Sequence, residues 1–294
     1  LYGALRMRDG AIPDLDTQLD TLAATLIEQI NRIQSQGNGL VNWSGTVAST
    51  NAVSDPTVAL ATAGLPFPIT APGTFQIVLY DTSNNQVAGS PWTITVNPGD
   101  SLNALVANIN AAVTDPNFSA VVNPDNTVSF TANPGYSFTF ANDTSGVLTA
   151  LGVNGLFTGV DARTIAVNPD IMNNPGLLSS AYNLDVLATG DNRAALDMAA
   201  VRNLLVLSNN SSTINDFYES IVARLGVEAR ANQVILETEQ AFTDNFEQRR
   251  QATSGVSLDE EITFMIQFQR AFEASARVVT VVDRMLEALF NMAL

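Results

Sequence analysis

The chain contains no cysteine, no histidine and no lysine. Without cysteine there is no disulfide and no thiolate nucleophile, so life outside a cell would rest on packing alone. Without histidine there is also no imidazole base, no Ser-His-Asp arrangement and no zinc site of the His or Cys type. All 13 basic residues are arginine, against 29 acidic ones, for a net charge of -16. Nucleic-acid binders need the opposite sign to displace counterions from phosphates, and an anionic membrane surface is disfavoured for the same reason. Charged residues are only 14% of the 294 positions, and no apolar run is long enough to span a bilayer. No Gly-rich phosphate loop follows a strand. The composition therefore points away from an enzyme, a cofactor protein, a nucleic-acid binder and a membrane protein.

What is present is apolar sequence in two contrasting patterns. Pro13 to Gln36 predicts a helix, opened by Pro13 and stopped by Gly37-Asn38-Gly39. Leu15, Leu19, Leu22, Leu26, Ile30 and Ile33 recur at steps of three and four, an apolar stripe that needs a partner. The first ten residues, LYGALRMRDG, contain no charged-then-apolar secretion signal and read as the interior of a longer chain. From about Leu40 to Gly159 arginine vanishes, and Gly, Pro, Asn, Thr and Val become frequent. Thr74–Tyr80 and Trp92–Val96 predict a hairpin around Asp81–Gln86, and Thr127–Ala132 with Tyr136–Ala141 a second around Asn133-Pro134-Gly135. One short helix, Ser101 to Val113, lies between them and stops at Asp115-Pro116.

Further along, a strand is expected at Thr164–Val167, a loop at Asn173-Asn174-Pro175-Gly176 and a helix near Asn192–Leu205. Ser211-Ser212-Thr213, with Asp216 beyond, starts a long helix to about Ala252 that Gly255 ends. The final helix opens with Ser257 and Glu260 in a capping box, and Asp259, Glu260 and Glu261 suit its positive end. Uninterrupted to Leu294, it would extend ~57 Å. Leu258, Ile262, Met265, Phe272, Ala276, Val279, Leu286 and Phe290 share a seven-residue seam with two polar members, Gln269 and Asp283. Ala293 lies on the same seam. Ile266, Phe268, Val282, Met285 and Leu289 widen it beyond one partner. A helix this apolar is expected to be held by a neighbouring molecule or to be disordered at its end. The fold class is thus α+β: long helices forming a bundle or coiled-coil layer, with an inserted β-rich domain. The expected divisions are 1–39 (helix about 13–36), 40–160 (β-rich and outward), 161–253 (mixed, then the long helix) and 254–294 (core helix).

Four stretches carry a resemblance. Ser254–Leu294, SGVSLDEEITFMIQFQRAFEASARVVTVVDRMLEALFNMAL, is similar to the C-terminal core helix of flagellar axial proteins. Gly3–Gly37, with Arg8-Asp9 and the QLDTLA run Gln18–Ala23, resembles the hook-associated protein 1 family more narrowly. So do Phe138–Gly159 (SGxLxxLGxNxxFxG) and Thr189–Ala199 (GDN followed by an alanine-rich turn). That family's own N-terminal core helix is missing from this sequence. The resemblance implies a structural subunit joining the flagellar hook to the filament, repeated as a homo-oligomer in the axial lattice. It implies hook protein on one side and hook-associated protein 3 on the other. It also implies export through the flagellar apparatus, an extracellular location, and an export chaperone at the C-terminal helix. Leu258, Ile262, Met265, Gln269, Phe272, Ala276, Val279, Asp283, Leu286 and Phe290 would form the assembly interface.

Other features admit two readings. Gln269 and Asp283 either set register in an assembly or face solvent. Arg270, Arg277 and Arg284 recur every seven residues. They could contact a neighbour, line a channel, or form a solvated face supported by a Glu273–Arg277 pair. Asp81, Ser83 and Asn85 faintly resemble calcium ligands, but Gln86 stands where the tight-turn glycine belongs, and a plain turn is the simpler reading. Another axial protein, hook or distal rod, remains an alternative. An extracellular carbohydrate-binding or adhesive module is a more distant one, prompted by the Thr- and Asn-rich β region.

Overall fold

The protein's computed structural model describes residues 3, 5, 7–182, 184, 190–255 and 258–292, and they form a mixed α+β fold. Two units are distinguished, Leu1–Ala223 and Arg224–Leu294. Within the first, a π-helical turn Met7–Ala11 leads into helix α1, Ile12–Gln34, with Pro13 in its first turn. The face that α1 buries is not the predicted leucine stripe. Ala23, Ile27, Asn31 and Gln34 are buried, whereas Leu15, Leu19, Leu22, Leu26, Ile30 and Ile33 are half-buried. The two stripes lie about 95° apart at ~100° per residue. Two polar side chains won the buried face because each is completely hydrogen-bonded there, as described below.

The β-rich region comprises β1 (Trp43–Ser44), β2 (Thr46–Ala48), β3 (Gly73–Tyr80), β4 (Trp92–Val96), helix α2 (Leu102–Ala112), β5 (Phe118–Val122), β6 (Val128–Ala132) and β7 (Ser137–Ala141). They form a four-stranded sheet in the order β1-β7-β3-β4 and a three-stranded sheet in the order β2-β6-β5. The predicted β3–β4 hairpin is present, with Gln76 opposite Thr93 and Ile77 opposite Trp92. The second predicted hairpin is not. β6 pairs with β5 and β2, while β7 pairs with β3 and β1, so Asn133-Pro134-Gly135 carries the chain from one sheet to the other. Gly45, at φ +73°, makes the matching corner between β1 and β2. Strands that switch sheets at corners let two small sheets face each other around one core. Between them sit Phe75, Phe118, Phe130, Phe138 and Phe140, with ring centroids 5.1 Å apart for Phe130–Phe140 and 5.2 Å for Phe118–Phe138, both edge-on. Edge-to-face geometry places the positive rim of one ring on the negative face of the next.

Helix α2 begins where Ser101 accepts a hydrogen bond from the Ala104 N–H, and it buries Leu102, Leu105, Val106 and Ile109. It packs against β4 and β5, one outer strand of each sheet. The Asn110 amide completes this cover. It donates to the Ala120 carbonyl (2.8 Å) and accepts from the Ala120 N–H (2.9 Å), occupying backbone groups that an edge strand would leave open.

Charge in this region has a single use. Between Arg32 and Arg163 the ionised side chains are seven aspartates, and each accepts hydrogen bonds from its own turn. Asp55 binds Thr57, Asp81 binds the Ser83 and Asn85 N–H groups, and Asp100 binds Asn97. Asp115 binds Asn117, Asp125 binds Thr127, and Asp161 binds Arg163 and Thr164. The seventh, Asp143, accepts from Ser145 N–H and Oγ and from the Gly146 and Leu148 N–H groups, and so opens helix α3, Val147–Leu151. Asp81 is therefore spent on its hairpin turn, the plain reading of that segment.

After α3 come the short pair β8 (Phe157–Thr158) and β9 (Ala166–Val167), joined antiparallel. Helix α4, Pro169–Asn173, which the Asn168 side chain caps by accepting from the Asp170 N–H, leads into the predicted loop at 173–176, and that loop closes as a 3-10 turn, Pro175–Leu177. Helix α5, Arg193–Ala200, runs on as a 3-10 turn to Asn203, in the predicted place. Helix α6, Ile214–Ser254, starts with a reciprocal cap: Asp216 N–H donates to Thr213 Oγ1 (3.1 Å), and Thr213 N–H donates to Asp216 Oδ2 (3.2 Å). Helix α7, Leu258–Met292, ends the description; Ser257, its predicted cap, lies outside the described residues.

Candidate assembly surface

Helix α7 is 35 residues long, and every residue from Leu258 to Asn291 is exposed. The predicted seam is wholly on that exposed surface. Leu258 (78%), Phe272 (76%) and Phe290 (71%) are the most open, and Ile262, Met265, Val279 and Leu286 are exposed too. Gln269, Ala276 and Asp283 share their line and their exposure. A seven-residue repeat on a 3.6-residue helix drifts ~20° per heptad, so the stripe winds slowly and favours left-handed supercoiling with its partner. Phe264, Phe268, Val278, Val281, Val282, Met285 and Leu289 add apolar surface on other sides. The first turns form a shallow apolar hollow lined by Leu258, Ile262, Phe264, Met265 and Phe268, with Glu261 at its edge. A continuous apolar surface of this extent marks a site that another surface covers.

Of the two expected states of the end of α7, disordered or held by a neighbouring molecule, the first is not seen: the segment is helical to Met292. The helix satisfies its own backbone through its i to i−4 ladder and leaves only side chains uncovered. The expected Glu273–Arg277 ion pair is not formed; among the described residues the ion pairs are Arg8–Asp9, Arg163–Asp16, Arg193–Asp191 and Arg250–Glu247. Arg270, Arg277 and Arg284 stand exposed along one line of the helix.

Ile221 is the last buried residue of α6, and from Val222 onward the described side chains of that helix are exposed. Tyr218, Val222, Leu225, Val234, Ile235, Phe242 and Phe246 form its outward apolar set.

Two of the motif stretches play a different part, which periodicity alone did not reveal. The passage Phe138–Gly159 locks α1 to the β region. Asn154 accepts the indole N–H of Trp43 (2.9 Å) and donates to the Gln34 carbonyl (3.1 Å), the end of α1. Gln34 in turn donates to the Leu177 carbonyl and accepts from the Ser179 N–H, both at 3.0 Å. Asn31 and Phe157 exchange two bonds, side-chain Nδ2–H to carbonyl and backbone N–H to Oδ1, at 2.8 and 2.9 Å. Gly152 of the same motif has φ +70°, and a Cβ there would strike the Thr50 side chain. Only glycine suits that conformation and that contact.

The second motif, around Asp191, is a clasp. Asp191 accepts from the Tyr182 N–H (3.0 Å) and from the Arg193 guanidinium (2.8 Å). Tyr182 OH donates to Asp197 (2.9 Å), and the Arg193 guanidinium carbon stands 5.9 Å from the Tyr182 ring centroid. Burial and the Asp197 carboxylate push the Tyr182 phenol well above its ordinary value. The signals that identify both locks are Asn and Asp beside glycine, residue types that bond backbone rather than follow an apolar period.

The segment that carries α7 is similar to the C-terminal part of flagellar rod proteins. Residues 247–292 match the family model of the flagellar basal body rod FlgEFG protein C-terminal region. The curated relatives narrow the likeness to flagellar hook-associated protein 1. The chain is 39% identical to that protein of Bacillus subtilis (strain 168) over 106 residues, covering 35% of this chain and 21% of the relative. It is 30% identical to the Escherichia coli (strain K12) protein over 206 residues, covering 62% of this chain and 36% of the relative. With the Salmonella typhimurium protein it shares 28% over 101 residues. The chain thus spans well under two thirds of the length of the relatives it matches.

Proposed function

We propose that this chain is part of a non-enzymatic structural subunit that joins the flagellar hook to the filament. The observation that carries the reading is α7: a 35-residue helix whose apolar seam is exposed from end to end. Burying it against like helices would offset ~25 cal/mol for each Å2 of apolar surface removed from water. In this reading Leu258, Ile262, Met265, Phe272, Ala276, Val279, Leu286 and Phe290 make the inner contacts, with Gln269 and Asp283 setting register. The segments 1–39 and 161–253 form the next layer, the β-rich segment 40–160 points outward, and 254–294 is the core. Hook protein meets one side of the subunit ring and hook-associated protein 3 the other. The subunit travels through the flagellar export apparatus to the outside of the cell. An export chaperone covers the α7 segment beforehand; deleting residues 257–294 without loss of chaperone affinity would exclude that part.

The deciding experiment is a gene knockout complemented with the full-length gene. Intact hooks without filaments, with filament subunits shed into the medium, support the junction role. Absence of hooks would instead favour a rod or hook protein, the reading that the rod-type match of residues 247–292 keeps alive. An adhesive role for the β region has less support. Its two tryptophans, Trp43 and Trp92, are buried rather than displayed for sugar stacking.

A further inference from the structure

Ser208, Asn209 and Asn210 are three consecutive non-glycine residues with φ of +51°, +57° and +60°. Together they make one turn of left-handed helix. L-residues resist this conformation because Cβ crowds the following carbonyl; asparagine tolerates it singly, and runs are avoided. What closes the turn is local. The Leu207 carbonyl accepts from the Ser211 N–H (3.0 Å) and the Ser212 N–H (3.1 Å), and the Ser212 carbonyl accepts from the Leu207 N–H (3.2 Å). Ser211 Oγ donates to the Ser208 carbonyl (2.6 Å). All three left-handed residues are exposed, and no side-chain bond from Asn209 or Asn210 reinforces them. Water can replace each of the bonds that hold the strain in place.

On the far side of this turn, Thr213 and Asp216 cap α6 reciprocally, so the helix does not depend on the turn for its start. One further tie follows. Ile221 is 4% exposed, and beyond it the described side chains of α6 are open. We infer that Leu207–Thr213 is a hinge and Ile221 its latch. With the turn closed, Ile221 is buried and α6 is held at its base. When the turn relaxes to right-handed or extended backbone, Ile221 leaves its site and the self-capped start of α6 swings free of it. The hinge stands on this geometry alone. Under the junction reading it would let one sequence fit neighbours of different curvature.

The absence of cysteine makes a direct test simple. Spin labels on Ser119→Cys and Ala223→Cys, both exposed positions, report the distance between the β region and the start of α6 in the full chain. Ser208→Gly, Asn209→Gly and Asn210→Gly together remove the Cβ penalty and should favour the closed distance. The pair Asn209→Val and Asn210→Val, which cannot adopt the left-handed turn, should favour the open one. Each change should shift the population ratio on the order of tenfold. Ile221→Ala should act like the valine pair without touching the turn. Fluorescence of the buried Trp43 verifies that the β region remains folded in every variant. Opposite displacement by the glycine and valine sets, with Ile221→Ala matching valine, supports the hinge. A distance distribution equal to the parent's in the valine and Ile221→Ala variants overturns it.

Discussion

Phenylalanine serves opposite ends in two regions of this molecule. In the β-rich region Phe75, Phe130, Phe138 and Phe140 have almost no exposed surface and form an edge-on cluster between two sheets. In α7, Phe264, Phe268, Phe272 and Phe290 stand in solvent. The first region is complete by itself. One outer strand of each sheet is covered by α2, its aspartates are bonded within their turns, and among the described residues no buried side-chain polar atom lacks a partner. The second region has a satisfied backbone and an unsatisfied surface, which suits an element that finishes folding in company. One chain thus holds a finished part and an unfinished part.

The comparison breaks most visibly on single phenylalanines. Phe140→Ala should cost about 3–5 kcal/mol of unfolding free energy, because it empties space among three other rings. Phe272→Ala should change the stability of the unassembled protein by less than about 0.5 kcal/mol while sharply reducing incorporation into assemblies. Denaturant titration and co-sedimentation with assembled structures measure the two effects. Equal stability losses would mean that α7 is already buried in the free chain.

A smaller effect is expected where the finished part grips α1. Asn154→Ala strands the Trp43 indole N–H and takes one of two bonds from the Gln34 carbonyl, which Ser179 Oγ still reaches, at about 2–3 kcal/mol. Asn154 also has φ +51°, a conformation that alanine resists. The Trp43 emission should shift towards the red in step with the lost stability. An unchanged spectrum would mean that Asn154 does not join the two parts.

Much of this division was legible in the residues. Alternation marks β3 and β4, the Thr213 start marks α6, and the heptad seam marks the unfinished face. The pairing of β6 and β7 was not legible, because Asn133-Pro134-Gly135 reads the same whether it closes a hairpin or crosses between sheets. Nor was the buried face of α1. An apolar count favours Leu15, Leu19 and Leu22, whereas long-range bonds to Phe157 and Ser179 select Asn31 and Gln34. Such partners lie more than a hundred residues away, beyond any local pattern.

Acid should act on the finished part. Turn hydrogen bonds hold the carboxyls of Asp55, Asp81, Asp125 and Asp161 below their ordinary value. A carboxylate lowered on folding contributes stability above its unfolded pKa, about 3.9, and loses it as the pH falls through the folded value. Asp143 runs the other way, since burial raises it while its turn bonds oppose that rise. With no histidine or cysteine side chain to titrate, the melting temperature should be level from about pH 6 to 9 and fall below about pH 4. Asp125→Asn keeps an acceptor for Thr127 and should flatten the acid limb slightly. A melting temperature that rises steadily below pH 4 would show that the turns do not govern acid stability.

The smallest effect separates the two parts by salt. Seven aspartates and no cation occupy the stretch between Arg32 and Arg163, so the charges there repel one another and have no ion pairs to lose. Screening should therefore stabilise that region, where it would weaken a protein held by surface ion pairs. From 0.05 to 0.5 M sodium chloride the expected gain is about 0.5 kcal/mol, roughly 1–3 °C in melting temperature. Sulfate should do more for α7, because its exclusion from apolar surface strengthens burial and so promotes association of the exposed seam. Calorimetry in chloride and light scattering in sulfate would follow the two responses separately. A melting temperature that falls with chloride would place compensating cations near those aspartates and remove the electrostatic half of the contrast.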